Sequence, residues 1–144
     1  MEALHKHLTD RIIAAFYDVY NELGYGFLEK VYQNSLYIEL KSRGFIVEAQ
    51  KQMKVYFKGK KVGEYYADLI VNDLVILELK ATETIVEDFE FQLLNYLRAS
   101  PVEVGLLLNF GKQPQIRRKI LRIRKRNCYQ RRDEWNTETP MEHR

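Results

Sequence analysis

The sequence predicts an α/β domain: two leading helices, a meander of three strands, a crossover helix and one or two closing strands in a mixed β-sheet. Three observations predict it. Apolar residues recur at helical spacing through two segments before any strand-like alternation begins. Two runs rich in Leu, Ile and Val then adjoin across Asn72 and Asp73, a natural turn pair. Finally, a helical segment separates the second run from a third, EVGLLLNF, which is the order of a parallel strand pair joined by a right-handed crossover.

Length and composition set the frame. A chain of 144 residues, 46% hydrophobic and 30% charged, suits one globular domain, read here as residues 1–126 with a polar tail over 127–144. Cys128 is the only cysteine, so no internal disulfide forms, and a reducing cytoplasmic setting is expected. No apolar run approaches the ~20 residues of a membrane span, so no membrane partner is expected. The net charge of +3 conceals an asymmetry: residues 111–144 hold 11 Lys and Arg against 4 Asp and Glu, a balance of +7, leaving −4 for residues 1–110. A basic end beside an acidic body suits a polyanionic partner, while a solubilising tail is the plainer explanation.

Each element has its own signal. Thr9 reads as the N-cap of the first helix, with Asp10 in its first turn, Ile12, Phe16, Val19 and Leu23 on its buried stripe, and Gly24 at its end. A hinge, Gly24 to Gly26, leads to a second helix marked by Leu28, Val31, Tyr32, Leu36 and Leu40 and closing near Gly44. Phe45 to Phe57 alternates as a strand bent near Lys51. Lys58 to Lys61 make a lysine-rich turn, explained by a solvated hairpin tip or, functionally, by contact with phosphate. Thr84 to Glu87 has the form of a capping box opening a third helix to about Arg98, with Phe89, Leu93 and Leu97 buried and Asp88, Gln92 and Tyr96 on a second line. Beyond Pro114, IRRKILRIRKR predicts an edge strand with one basic face.

The stretch from Tyr66 to Ala81 carries the anomaly. Asp68, Glu78 and Lys80 lie inside strands that read as buried, where an ionised group is costly unless paired or bound to metal. Glu78 and Lys80 share a side of the sheet. Whether Asp68 joins them depends on register. A regular two-residue turn at Asn72 and Asp73 places Asp68 opposite Leu77, whereas one further loop residue or a bulge pairs Val71 with Val75 and Ile70 with Ile76, and brings Asp68 opposite Glu78. The second register is expected, with Ala67, Leu69, Val71, Val75, Leu77 and Leu79 filling the opposite face.

Asp68 followed by Glu78-Leu79-Lys80 resembles the PD-(D/E)XK signature of restriction-endonuclease-like nucleases, with Ala67 where a proline often stands. Gly26 to Tyr32, GFLEKVY, is similar to the Gly-x-x-Glu-x-x-Tyr signature of the GxxExxY protein family, a branch of that superfamily. Gln92 and Tyr96 look like the Gln-x-x-x-Tyr element found beyond the Glu-x-Lys strand in exonuclease-like members. The resemblance runs from about Leu8 to Ile120.

It implies a nuclease hydrolysing phosphodiester bonds in DNA with Mg²⁺ or Mn²⁺. By that resemblance Asp68 and Glu78 hold the metal, Glu29 completes the site directly or through water, and the Leu79 carbonyl contributes. Lys80 orients or deprotonates the attacking water, Gln92 sits near the metal or the DNA backbone, and Gly26, Tyr32 and Tyr96 give support. Arg117, Arg118, Lys119, Arg122, Arg124, Lys125 and Arg126 form the expected nucleic-acid-binding segment. The alternatives are a non-catalytic nucleic-acid-binding module and a protein-interaction scaffold, and a homodimer is compatible with each. The three histidines lie at the ends and Cys128 stands alone, so neither a zinc site of nitrogen and sulfur ligands nor a Ser-His-Asp triad is available. No phosphate-binding glycine loop is present.

Overall fold

A computed structural model describes residues 3–123. The elements run α1 (Lys6–Leu23), α2 (Glu29–Ser42), β1 (Val47–Phe57), β2 (Lys60–Val71), β3 (Val75–Lys80), α3 (Glu87–Arg98), β4 (Val104–Phe110) and β5 (Pro114–Ile120). The five strands form one sheet in the order β1-β2-β3-β4-β5. Among the described strands only β3 and β4 run parallel, and α3 connects them, as the β-α-β order predicts. The polar tail beyond residue 126 lies outside the described residues.

Two apolar layers enclose the sheet. On one face Ile12 and Phe16 of α1 and Leu36 and Leu40 of α2 pack on Leu69, Val71, Val75, Leu77, Leu79, Leu106 and Leu108. On the other, Leu93 and Leu97 of α3 cover Met53, Ile70, Ile76 and Leu107. Burying both faces explains why β3 and β4 read as near-continuous apolar runs. It also explains why Glu78, only 4% exposed within β3, is conspicuous.

The helix termini differ from the sequence expectations. Thr9 is an interior residue of α1, fully buried, its hydroxyl donating to the Lys6 carbonyl; His5, in a left-handed conformation, precedes the helix. The capping box at Thr84 is absent as well. Val86 caps α3 without any side-chain bond, and Glu87, Asp88 and Glu90 in its first turn complement the helix dipole instead. Leu28 and Val31 do not join the buried stripe of α2, Leu28 being 81% exposed. Burial there starts at Tyr32 and Gln33.

The β2–β3 register matches the expectation that unites the charged residues. Val71 pairs with Val75, Ile70 with Ile76 and Leu69 with Leu77. Asn72 and Asp73 both take positive φ, 53° and 56°, and the Leu74 N–H closes the turn on the Val71 carbonyl at 2.9 Å. Leu74 is therefore the extra residue between a tight turn and the first regular pair. Asn72 is pinned further, donating its N–H to the Ile46 carbonyl and accepting the Ile46 N–H on its side chain.

One detail of the core departs from the expected alternation. Ala67 packs on the α3 side with Met53, whereas Leu69 and Val71 lie on the α1–α2 side with Val47. The pleat thus inverts in both strands between Ala49↔Leu69 and Lys51↔Ala67, the pairs that flank Gln50 and Asp68. Gln50 has φ 54°, a left-handed residue inside a strand, and supplies the kink. The bend expected near Lys51 is this residue.

Candidate functional site

The site forms where β2 leaves β3. Their last backbone pair is Leu69↔Leu77, and beyond it side chains replace the ladder. The Asp68 N–H donates to Glu78 Oε1 at 3.0 Å, and the Leu79 N–H donates to Asp68 Oδ2 at 2.9 Å. Two carboxylates thereby hold the splayed strands together, each through one oxygen. Asp68 Oδ1 has only the Gln50 side-chain amide, at 3.4 Å, and Glu78 Oε2 accepts no hydrogen bond from a described residue. Because N–H and C=O of one residue leave an extended strand on the same edge, the Leu79 carbonyl faces the same gap as its N–H.

Electrostatics mark this pair as under-compensated. Burial pushes the Glu78 carboxyl well above the usual carboxylate range, and the neighbouring Asp68 charge pushes it further, with Glu29 adding to the effect. The Asp68 N–H and the charge of Lys80 oppose this without cancelling it. Burial raises Asp68 as well, against the Leu79 N–H, Lys80, Gln50 and Lys30. A buried carboxylate pair raised in this way lacks positive charge.

Lys80 supplies part of that charge. Its Nζ donates to Gln92 Oε1 at 3.2 Å and lies 4.6 Å from the centre of the Phe89 ring, with no carboxylate at ion-pair distance among the described residues. Gln92 therefore aims the ammonium while leaving its charge unneutralised. One turn along α3, Tyr96 packs against Tyr65 with ring centres 5.2 Å apart. Burial and the charges of Glu78 and Asp68 hold the Tyr96 hydroxyl protonated far above its ordinary range.

Support for the α2 side comes from Tyr32. Its ring stacks on Phe110 at 4.2 Å, and its hydroxyl donates to the Gly24 carbonyl and accepts the Phe27 N–H. The hinge is thus tied at both ends. Gly26 serves it through φ 113°, a conformation that favours glycine. Close approach of the chain is not its role, since a Cβ there would meet nothing within 4 Å. Glu29 opens α2 exposed, near enough for Glu78 to feel its charge.

A resident divalent metal fits Asp68 and Glu78 by donor chemistry. Hard cations prefer oxygen and keep several waters, and here Glu78 Oε2 lacks a partner among the described residues while the neighbouring Asp68 and Glu78 carboxyls lack positive charge. No three His, Cys, Asp or Glu side chains converge as a metal cluster among the described residues.

Sequence reasoning missed Gln33 and Gln50. The Gln50 amide bridges Gln33 Oε1, at 3.0 Å, to Asp68. An amide at position 33, in helical spacing with Leu36 and Leu40, is the signal that was present. Lys30, whose charge reaches Asp68, was missed too.

The basic segment is divided. Arg117 and Lys119 approach Glu90 of α3, at 3.9 and 2.7 Å. Arg118 points to the opposite face and binds Thr9 Oγ1 and the Leu4 carbonyl. The expected single basic face is therefore broken at Arg118, which tethers the start of α1 to the sheet edge. Arg122 is half-buried, and Arg124, Lys125 and Arg126 lie outside the described residues.

Comparison with known proteins agrees with this geometry. A family model described as PD-(D/E)XK nuclease superfamily matches residues 6–123. Searches of curated proteins and of solved structures each give no match. No helix among the described residues is long and apolar enough to cross a membrane. With the match spanning all eight elements, and Asp68, Glu78 and Lys80 gathered at the splayed end of β3, the chain belongs to the PD-(D/E)XK nuclease superfamily.

Proposed function

We propose that this protein is a Mg²⁺- or Mn²⁺-dependent nuclease of the GxxExxY branch, hydrolysing phosphodiester bonds in DNA. The observation that carries the reading is the pairing of Asp68 with Glu78. Each carboxylate spends one oxygen on a backbone N–H; the second oxygen of Glu78 has no partner among the described residues and that of Asp68 meets only the Gln50 amide, at 3.4 Å, in surroundings that favour an added positive charge.

Hydrolysis needs a nucleophilic water, and stabilisation of charge on the phosphoryl oxygens and the leaving oxygen. Asp68 and Glu78 would hold a divalent ion, which would supply Lewis acidity toward the phosphate and ease deprotonation of the attacking water. Lys80, held by Gln92, donates toward the attacking water or a non-bridging phosphate oxygen. The water gives up a proton as its oxygen bonds to phosphorus, the bridging P–O bond breaks, and the leaving oxygen takes up a proton in exchange. Glu29 orients solvent on the α2 side, and Tyr32 keeps that helix end in place. A homodimer would place two such sites on opposite strands.

The test is cleavage of labelled DNA with Mg²⁺, Mn²⁺ or EDTA, comparing the unaltered chain with Glu78→Ala and Lys80→Ala. Metal-dependent cutting lost in both variants supports the reading. Binding without cutting under every metal condition would replace it with a non-catalytic module.

A further inference from the structure

The β1–β2 ribbon extends away from Asp68, and α2, which follows the α1–α2 hinge, is fastened to its root; the ribbon beyond Asp68 and the exposed hinge side chains have no part in the chemistry above. Residues 60–68 of β2 have no partner in β3, so beyond the pleat inversion the ribbon runs on as two strands. Residues 51–66 of the ribbon hold five lysines against one glutamate. Lys61 is committed to Glu64 at 3.0 Å and Lys51 to Glu48 at 3.2 Å. Tyr66 is 46% exposed on the same strand as Asp68. The ribbon is therefore basic, with an aromatic ring near its root.

Just before Glu29, whose charge reaches Glu78, the hinge presents Tyr25 and Phe27 at 56% and 48% exposure, the Phe27 ring edge-on to Tyr32. Their display is built rather than incidental. Gly24 and Gly26 take φ 72° and 113°, and the Tyr32 hydroxyl clamps the backbone between them and Phe27. The Gln33–Gln50–Asp68 bridge fastens the helix after the hinge to the root of the ribbon.

Exposed rings on the ribbon that starts at a phosphodiester-cutting site, and on the hinge just before Glu29, offer stacking faces for bases. In a duplex the faces of the bases are stacked away, whereas an unpaired strand offers them. Lysines tracking the backbone complete the usual recipe for holding a single strand. Resting on the nuclease reading above, we infer that the site takes an unpaired strand, its bases against Tyr25, Phe27 and Tyr66 and its phosphates along the ribbon lysines Lys54, Lys58 and Lys60.

The test measures binding and cutting separately. Fluorescence anisotropy with a single-stranded oligonucleotide and the matching duplex, in EDTA and at several salt concentrations, is run on the unaltered chain, on Tyr25→Ala with Phe27→Ala, and on Lys54→Ala with Lys58→Ala and Lys60→Ala. The single strand binds more tightly, the aromatic variant loses about tenfold or more for the single strand with little change for duplex, and the lysine variant weakens both with a shallower salt slope. Equal or tighter duplex binding, untouched by the aromatic variant, overturns the inference. So does self-association lost in that variant by sedimentation, which would make the hinge a face for a second copy. Cleavage with Mg²⁺ is read on the same samples: cutting of duplex by an unimpaired aromatic variant sinks this inference and keeps the nuclease reading, whereas absent cutting with intact single-strand preference does the reverse.

Discussion

Two buried polar clusters lie at the same end of the sheet and are treated in opposite ways. Asn109, fully buried in β4, accepts the Thr82 N–H and donates to the Thr82 carbonyl and to Gln115, which in turn accepts the Ile85 N–H. Nothing in that network is charged, and both polar atoms of the Asn109 amide are used. Glu78, one strand away and almost as buried, carries an ionisable group whose environment resists ionisation. The first cluster fastens the loop between β3 and α3; the second is left in need of a counter-charge. A buried polar group that is fully satisfied reads as structure, and one left short of partners reads as a site.

That contrast can be broken by substitution. The largest effect is expected from Glu78→Ala, which should lower metal-dependent cleavage by about 10³-fold or more, a loss typical for a key electrostatic group, without lowering the melting temperature at neutral pH. Next comes Asn109→Ala. It leaves Thr82 and Gln115 groups without partners and should destabilise by about 2–4 kcal/mol in urea, while cleavage per folded molecule changes only a few-fold. A thermally robust Asn109→Ala, or a Glu78→Ala that unfolds, would reverse the assignment of the two clusters.

Acidity sharpens the same comparison. The folded-state carboxyls of Asp68 and Glu78 titrate above their unfolded values, so the stability linked to their protonation is present at low pH and is lost as pH rises through the raised values. In EDTA the melting temperature should therefore fall as pH climbs from about 4, the unfolded carboxylate value, toward neutrality. Glu78→Gln should flatten that decline, Asn109→Ala should not, and Mg²⁺ should restore the lost stability. The smallest effect belongs to Gln92→Leu. It frees the Lys80 ammonium without removing it, and cleavage should drop about tenfold, the scale of a positioning defect of roughly 1.4 kcal/mol.

The sequence carried the fold through features that local chemistry dictates. Apolar runs too long for alternation marked β3 and β4 as covered on both faces, and the β2–β3 register followed from three charged residues that needed one another. Chain termini of helices were less legible. Thr9 and Thr84 have the right residue type for caps, yet Thr9 is buried against the sheet edge by Arg118 and Thr84 sits in the loop fastened by Asn109 and Gln115. Tertiary contacts outweighed the local preference. Gln33 and Gln50 escaped for a related reason, since a neutral amide gives no signal of cost until its burial and its partner are known. Leu28 was misplaced because helical spacing alone cannot distinguish a buried stripe from a hinge residue left in solvent.

The pleat inversion at Gln50 and Asp68 gives each of the two strands a change of phase. To hydrophobic patterning, β1 and β2 are each two shorter strands of opposite parity joined at the site. A one-residue insertion on the hairpin side of Asp68 would reorient only the ribbon, since the parity of Leu69 and Val71 is set from the other side of the joint. The same insertion between Leu69 and Val71 would turn core residues to the wrong layer. Length variation in this protein should therefore be tolerated asymmetrically, with the ribbon free to change its reach while the sheet that carries the carboxylates stays in step.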